Sequence, residues 1–228
     1  SQTTLISEYV SHQEDLLKKF SISPIIIDYL KDLNNKDKQL KAQQFTENYF
    51  KGLDNWEGIY SGEWNTHVVT HSNPKVVGMT TRKGDSLKAL QNAMKENNGL
   101  YNAGIIVSPA SQKLILSMYC PVYDTDGSTI VGYVGGGPYM EKLERLLNET
   151  KKNGKKSIQY SMLNVSSKMY IFDDEDTSLI TKEATDKGIL NVINDIEKSK
   201  KNTNDAFTYK NSNNTSYVMS YQYDKEHD

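Results

Sequence analysis

The spacing of apolar residues along the first fifty positions predicts helices. Apolar side chains recur there at short helical intervals among polar ones: Leu5, Tyr9, Leu16, Leu17 and Phe20. Ser23 followed by Pro24 indicates the start of a second helical segment, and Asp37 is suited to cap a third. We therefore predict a long, interrupted helical arm over residues 1–53, of the kind that usually packs on a sheet or on a second copy of itself.

From Trp56 onward the apolar period changes to two, which is typical of strands. Residues 58–64 and 66–71 flank a polar break and predict a hairpin. A helix, three antiparallel strands and a second helix are predicted to follow. Their ranges are 81–97 for the first helix, 104–107, 113–122 and 129–135 for the strands, and 138–147 for the last helix, which Pro138 is expected to start after a run of three glycines.

A shorter cycle of the same kind follows residue 148. The predicted order is a strand-like stretch over 157–172, a turn at 173–176, a helix over 186–200, and a hairpin of 206–209 with 217–223. The whole pattern predicts an α+β fold, in which two modules follow the helical arm, each a mainly antiparallel sheet flanked by helices. The predicted modules are residues 54–148 and residues 149–228.

Charge and composition exclude several classes of protein. The 228 residues carry 27 Lys plus Arg and 29 Asp plus Glu, a net charge of −2, so the basic excess of a nucleic-acid-binding protein is missing. No run of about eighteen apolar residues is present, so no membrane-spanning segment is predicted within these residues. Only two of the basic residues are arginines, Arg82 and Arg145, which makes each a candidate for recognising an anion.

Three possible metal ligands, Glu63, His67 and His71, are spaced four residues apart. The β-branched residues around His67 favour a strand, on which the two histidines would lie about 13 Å apart at roughly 3.3 Å per residue. Ligands of one zinc ion lie about 2 Å from it, so the sequence predicts no metal site here. His67 is better suited to donate or accept a hydrogen bond in a pocket.

Catalytic motifs are missing from the sequence. Gly135, Gly136 and Gly137 match neither the dinucleotide nor the nucleoside-triphosphate loop in spacing, and are predicted to form a tight exit from a strand. A single cysteine, Cys120, allows no disulfide within the chain, and four histidines provide little material for acid–base catalysis. We predict a protein that is not an enzyme and needs no cofactor, although a hydrolase using Cys120 or His67 remains a third alternative.

Aromatic and polar residues are concentrated between positions 64 and 123. Aromatic walls with a few polar groups are typical of a site for a small ligand, whereas any single tyrosine more often covers the face of a sheet. The candidate ligand-binding residues are Arg82, Trp64, Thr66, His67, Tyr101, Asn102, Ser117 and Tyr119.

The order of these features resembles the double Cache (dCache) form of the PAS-like extracytoplasmic sensor domains of bacterial receptors. The resemblance covers nearly the whole chain and is carried by a helical arm and a series of short motifs. These are His71-Ser72-Asn73-Pro74, a helix starting near Arg82, Tyr101-Asn102, Pro121-Val122-Tyr123-Asp124 and Val131-Gly132-Tyr133-Val134-Gly135. It implies a sensor region lying outside the cytoplasmic membrane, anchored in the membrane in the full-length receptor and paired as a homodimer, with a ligand site in the membrane-distal module.

Members of this family that bind amino acids use an arginine for the ligand carboxylate and an aspartate for its ammonium group. Arg82 occupies a position like that arginine, but Gly137 stands where the aspartate is expected. A buried ammonium group without a counter-charge costs on the order of several kcal/mol. The resemblance therefore implies a carboxylate or a nucleobase as the ligand in preference to an amino acid.

We therefore predict a sensor module that binds a small metabolite in residues 54–148 and signals to a chemoreceptor or another transmembrane output. The alternatives are a structural or protein-interaction domain without a small ligand, and a sensor of amino acids.

Overall fold

A computed structural model describes residues 2–96 and 99–152 and, beyond them, 161–163, 170–173, 182, 183, 185, 187, 189–191, 193, 194, 203–210 and 216–223. The chain divides into two compact units. One unit is Ser11–Lys142, and the other combines Ser1–Val10 with Leu143–Asp228. The boundaries that we drew from the sequence, after residues 53 and 148, remain predictions.

The elements follow the predicted order. The helices are α1 (Gln2–Ser21), α2 (Pro24–Leu30), α3 (Lys36–Lys51), α4 (Gly84–Glu96) and α5 (Glu141–Lys152). The strands are β1 (Trp56–Gly62), β2 (Val68–His71), β3 (Tyr101–Val107), β4 (Leu114–Tyr123), β5 (Ile130–Pro138), β6 (Ser161–Leu163), β7 (Tyr170–Asp173), β8 (Thr203–Lys210) and β9 (Ser216–Tyr223). None of the described helices combines the length and the apolarity needed to cross a bilayer.

Strands β1 to β5 form one antiparallel sheet in the order β2-β1-β5-β4-β3. Strand β5 lies at the centre because the hairpin β1-β2 pairs with one of its edges and the hairpin β3-β4 with the other. The α+β prediction is therefore confirmed.

Helices α3 and α4 cover opposite faces of this sheet. On one face a buried chain of hydroxyl groups joins α3 to two strands: Thr46 Oγ1 lies 2.9 Å from Thr70 Oγ1, which lies 2.6 Å from Ser61 Oγ. On the other face the buried α4 residues Leu90 and Met94 pack with tyrosines of β4 and β5. Because side chains alternate along a strand, Ser61 and its neighbour Tyr60 belong to different layers of the unit.

The outer edge of β2 is bound by a side chain of α3. Gln43 Nε2 donates to the carbonyl oxygen of His71 at 2.7 Å, and the backbone N–H of His71 donates to Gln43 Oε1 at 3.1 Å. The amide therefore forms the pair of bonds that a further strand would make, and it blocks an edge that could otherwise pair with another chain.

The structure corrects the prediction for the glycine run. Strand β5 continues through the three glycines to Pro138, and helix α5 begins only at Glu141. A Cβ atom on Gly136 would lie 2.4 Å from the carbonyl oxygen of Gly58, so the run allows neighbouring strands to approach closely. Proline is tolerated at such a strand end because it lacks only one ladder donor.

Helix α4 also begins later than predicted. The residues before it extend the sheet edge, where the N–H of Val68 donates to the carbonyl oxygen of Met79 and the N–H of Thr81 donates to that of Thr66. These bonds hold residues 79–81 beside β2, so the helix starts at Gly84.

The second unit contains two separate pairs of strands. The hairpin β8-β9 is confirmed, with Thr203 opposite Tyr223 and Lys210 opposite Ser216. The stretch predicted as one strand over 157–172 contains two antiparallel strands, β6 and β7, and its remaining residues lie outside the described ones. The described residues between 187 and 194 are helical, as predicted, whereas most of the predicted turn at 173–176 lies outside the described residues.

Candidate functional site

One aromatic ring from each strand of the large sheet forms a continuous row on the face covered by α4. In sheet order this aromatic row consists of His71, Tyr60, Tyr133, Tyr119 and Tyr101. Successive ring centroids are 5.3, 5.9, 6.5 and 6.2 Å apart, and all but the Tyr60–Tyr133 pair are stacked. These are favourable distances for aromatic pairs, so the row forms a rigid wall across the whole sheet.

Two glycines make room for two tyrosines of this row, Tyr60 and Tyr133. Gly135 is opposite Tyr60 in the ladder, and a Cβ atom there would lie 2.4 Å from the Tyr60 hydroxyl oxygen. Gly62 is opposite Tyr133, where a Cβ atom would lie 2.6 Å from the tyrosine ring. Each of these tyrosines therefore occupies space that a side chain on the neighbouring strand would otherwise fill.

Helix α4 closes the site from above. The half-buried side chains of Trp64 and Ala103 pack against the cluster that Leu90 and Met94 form with the row. The backbone carbonyl of Trp64 accepts a bond of 3.0 Å from Gln91 Nε2, which ties the tryptophan to the helix.

Arg82 places a positive charge at the row. Its Nη2 donates to the Tyr119 hydroxyl oxygen at 3.0 Å, and its guanidinium carbon lies 5.6 Å from the centre of the Tyr119 ring. Ser117 Oγ donates to the same oxygen at 3.1 Å. Among the described residues no carboxylate forms an ion pair with Arg82. The guanidinium is half-buried and held only by a neutral phenol, so its charge remains available to an anion.

Thr66 holds the backbone from which Arg82 extends. Its hydroxyl accepts from the N–H of Arg82 at 3.0 Å and donates to the carbonyl oxygen of the same residue at 3.2 Å. Thr66 is fully buried and has a left-handed backbone with φ of 70°, which is costly for a β-branched residue. Strain of about 1–3 kcal/mol is typical of residues that the surrounding structure fixes at functional sites.

The phenols behind Arg82 are neutral hydrogen-bond donors. The Tyr133 hydroxyl is buried without a hydrogen-bond partner, although the side chains of Thr81 and Tyr60 approach it closely enough to affect its ionisation. Burial raises the pKa of Tyr133 to about 12 and raises that of Tyr60 well above its ordinary value. Both groups therefore keep their protons at physiological pH.

His71 is held neutral at the end of the row. Its Nδ1 accepts a bond of 2.8 Å from the N–H of Asn73, and burial lowers the pKa of the ring to about 4, although Glu57 opposes this shift. The neutral imidazole of His71 stacks on Tyr60 and adds no positive charge to the aromatic row.

This neutral state makes stability depend on pH. The unfolded chain protonates His71 near pH 6.5, so we expect the free energy of unfolding to fall as the pH decreases from about 6.5 to about 4. Urea unfolding across that range measures the effect, and His71→Phe should flatten the slope because it keeps a ring without the titration. His12→Gln, at an exposed position of α1, is the matched control and should retain the slope. A slope unchanged in His71→Phe would contradict the neutral state.

Six of the eight candidate residues from the sequence come together here: Arg82, Trp64, Thr66, Tyr101, Ser117 and Tyr119. The structure places the other two elsewhere. His67 Nδ1 lies 3.0 Å from Thr80 Oγ1 at the edge of the sheet. Asn102 alternates with Tyr101 along β3, so it faces the opposite layer, where its Nδ2 donates to Glu14 at 3.3 Å.

Sequence reasoning missed three members of the row, namely Tyr60, Tyr133 and His71. The available signal was the pairing of a tyrosine with a glycine on a neighbouring strand, which cannot be read before the register is known. Among the residues that the structure describes, no three His, Cys, Asp or Glu side chains are grouped so that they could hold a metal ion.

No protein-family model matches the chain, and no curated protein matches its sequence. Solved structures do match its fold. The sensor domain of the histidine kinase DctB of V. cholerae superposes with a TM-score of 0.64 at 11% identity, covering 95% of this chain and 86% of that one. The ligand-binding domain of the Campylobacter jejuni chemoreceptor Tlp3, solved with 4-methylisoleucine, gives a TM-score of 0.62 at 14% identity over 95% of this chain and 80% of that one.

A third match is the ligand-binding domain of the Pseudomonas fluorescens chemoreceptor CtaA, solved with L-isoleucine. Its TM-score is 0.54 at 14% identity, covering 80% of this chain and 67% of that one. Sequence identities this low establish the architecture alone. The chain therefore has the PAS-like Cache fold of the extracellular sensor domains of histidine kinases and chemoreceptors.

Proposed function

We propose that the chain is the ligand-binding sensor region of a bacterial transmembrane receptor and that it binds a small carboxylate at the aromatic row. The observation that carries the proposal is Arg82, a half-buried cation beside a wall of neutral phenols with no acidic partner among the described residues. An anionic ligand would supply the missing counter-charge.

The bonding around Tyr119 supports a carboxylate in particular. Arg82 and Ser117 both donate to its hydroxyl oxygen, which leaves the phenolic proton free to be donated to a ligand. A carboxylate can accept from the guanidinium and from this hydroxyl at once. A charge-assisted bond of this kind contributes about 1.5–3 kcal/mol, which with aromatic contacts is enough for micromolar binding.

Two other ligand classes fit the site less well. An α-amino acid would bring its ammonium group close to Arg82 with no carboxylate among the described residues of the site to pair with it, and Gly137 has no room for one. A nucleobase could stack on Trp64 or Tyr101, which are half-buried, but it would leave the charge of Arg82 unpaired. We therefore rank the carboxylate first and the nucleobase second.

The proposed context is a receptor anchored in the membrane, with this region outside the cytoplasm and paired as a homodimer. The shared fold supports this context, because the matching structures include sensor and ligand-binding domains of a histidine kinase and of chemoreceptors. Ligand binding would shift the receptor towards the state for which the ligand has the higher affinity, and the ratio of the two affinities would set the size of the shift.

A thermal-shift screen of small carboxylates, amino acids and nucleobases tests the proposal. A ligand at about 100 times its Kd stabilises the folded state by about 2.7 kcal/mol, which corresponds to an increase in Tm of about 5–10 °C for a chain of this size. We expect carboxylates to give the largest increase. Stabilisation by amino acids alone would contradict the assignment of ligand class, and no stabilisation by any class would favour a structural or protein-interaction domain.

A further inference from the structure

We infer that the ligand carries a neutral oxygen acceptor on the carbon next to its carboxylate, as 2-oxo and 2-hydroxy acids do. This inference rests on the proposed function, because it assigns Arg82 to the carboxylate. It adds a second recognition group, the Tyr133 hydroxyl, which makes no hydrogen bond of normal geometry among the described residues, although the side chains of Thr81 and Tyr60 lie close to it.

The Tyr133 hydroxyl is an unsatisfied hydrogen-bond donor in the site. The residue is fully buried, and a buried donor without a partner is destabilising unless another molecule satisfies it. Aromatic and apolar side chains surround it, and among the described residues Arg82 is the cation whose charge affects the ionisation of Tyr133. A ligand oxygen that accepts from Tyr133 would remove this penalty.

The Tyr133 hydroxyl lies close to the place where the carboxylate would bind. The Tyr133 and Tyr119 rings, on the neighbouring strands β5 and β4, stack with centroids 6.5 Å apart and planes inclined by 27°. The Tyr119 hydroxyl contacts Arg82 directly, and the charge of Arg82 is near enough to affect the ionisation of both Tyr60 and Tyr133. We therefore place the second acceptor on the carbon next to the carboxylate, the nearest position from which a ligand held by Arg82 could present an oxygen to Tyr133.

The electrostatics of the cluster select a neutral acceptor. An ammonium group at this place would lie between phenols and a guanidinium, and no acidic residue among the described ones pairs with Arg82 to balance two positive charges. A second carboxylate would also be unfavourable at this place. It would lose its water, and the phenols of Tyr60 and Tyr133 would supply hydrogen bonds but no second positive charge in return. A carbonyl or hydroxyl oxygen needs only the donor that is already present.

A matched series of ligands tests this selection by isothermal titration calorimetry. Pyruvate, lactate, alanine and propionate differ only in the group on the second carbon: an oxo, a hydroxyl, an ammonium or hydrogen. The six-carbon set of 4-methyl-2-oxopentanoate, 2-hydroxy-4-methylpentanoate, leucine and 4-methylpentanoate repeats the comparison for a larger pocket. In the set that fits, we expect the oxo and hydroxy acids to bind about ten times more tightly than the unsubstituted acid, and the amino acid to bind most weakly.

The variant Tyr133→Phe removes one oxygen and keeps the ring. We expect Tyr133→Phe to leave the affinity for the unsubstituted acid unchanged. The affinity for the oxo acid should fall until the two affinities differ by no more than about three-fold. Tyr123→Phe is the matched control, because Tyr123 lines a separate groove with Ser21, the last residue of α1, and Ile22. It should leave both affinities unchanged, and thermal unfolding of each variant verifies that it is folded.

The outcomes separate the two proposals. The assignment of Tyr133 would be overturned, while carboxylate binding stands, if the wild type bound the oxo acid and the unsubstituted acid equally well. It would also be overturned if Tyr133→Phe lost the same factor in affinity for both acids. Tightest binding of the amino acid would overturn the assignment of a neutral acceptor. If none of these acids binds in either set, the proposed carboxylate site itself is wrong.

Discussion

Replacing Arg82 by methionine is expected to weaken carboxylate binding by about 10- to 150-fold, which corresponds to the 1.5–3 kcal/mol of a hydrogen bond to a charged group. Methionine keeps a long apolar side chain beside Tyr119 but supplies neither charge nor donor. Calorimetric titration of wild type and variant with the same acid measures the ratio. Arg82→Lys should lie between them, because it retains the charge without the planar pair of donors.

The second arginine of the chain provides the matched control. Arg145 lies on α5 with an exposed side chain, so Arg145→Met changes the net charge equally without touching the aromatic row. We expect it to leave the Kd within about two-fold of wild type, because the charge of an exposed side chain is screened at physiological salt. Equal losses in both variants would indicate a general effect of charge and would contradict a direct contact with Arg82.

Gly137→Ala is expected to destabilise the protein by about 4 kcal/mol or more, or to prevent folding altogether. A Cβ atom on residue 137 would lie 1.6 Å from the carbonyl oxygen of Leu116 and 2.8 Å from its carbonyl carbon. These atoms belong to the backbone of β4, so no side chain can rotate away, and the two strands must separate. Losses of this size are exceptional for one methyl group and arise from overpacking.

Urea unfolding of the variant against wild type measures this loss, and Gly52→Ala is its control. At residue 52 a Cβ atom would lie 3.5 Å from the nearest carbonyl oxygen, an ordinary contact, and the backbone φ of −82° suits alanine. Unchanged stability in Gly137→Ala would mean that β4 and β5 can separate at little cost. The same clash explains why position 137 cannot carry the aspartate that the family resemblance led us to expect.

The order of elements was predictable because strand alternation and helical spacing are properties of neighbouring residues. The hairpin β1-β2, the strands β3 to β5 and the hairpin β8-β9 all follow from such local patterns. The helix predicted from Pro138 was wrong because the fit of Gly136 and Gly137 against adjacent strands is a property of the sheet. Strand β3 likewise starts earlier than predicted, since Gly104 with its φ of 83° lies within a bulge and does not mark the strand end.

The site was predictable in part for the same reason. Arg82 was identifiable because arginine is rare in this chain, and Ser117 and Tyr119 because they lie on one predicted strand. Tyr101 was identifiable because it belongs to the same concentration of aromatic and polar residues. Choosing between Tyr101 and Asn102 required the face of β3, and finding Tyr133 required the register of β5. Both depend on pairing between residues that are distant in sequence.

The glycine-backed tyrosines determine which part of the site can move. Tyr60 and Tyr133 are fixed by their own sheet, so a ligand meets a wall whose conformation is already settled and loses little affinity in ordering it. The backbone from Gly78 to Arg82 is bound to the sheet edge and to Thr66, so a movement on binding is expected to begin at Gly84, the first residue of α4, which has φ of 57°. Arg82 lies two residues before this glycine, so a ligand bound to its guanidinium would act on the start of α4 and rotate that helix over a stationary sheet.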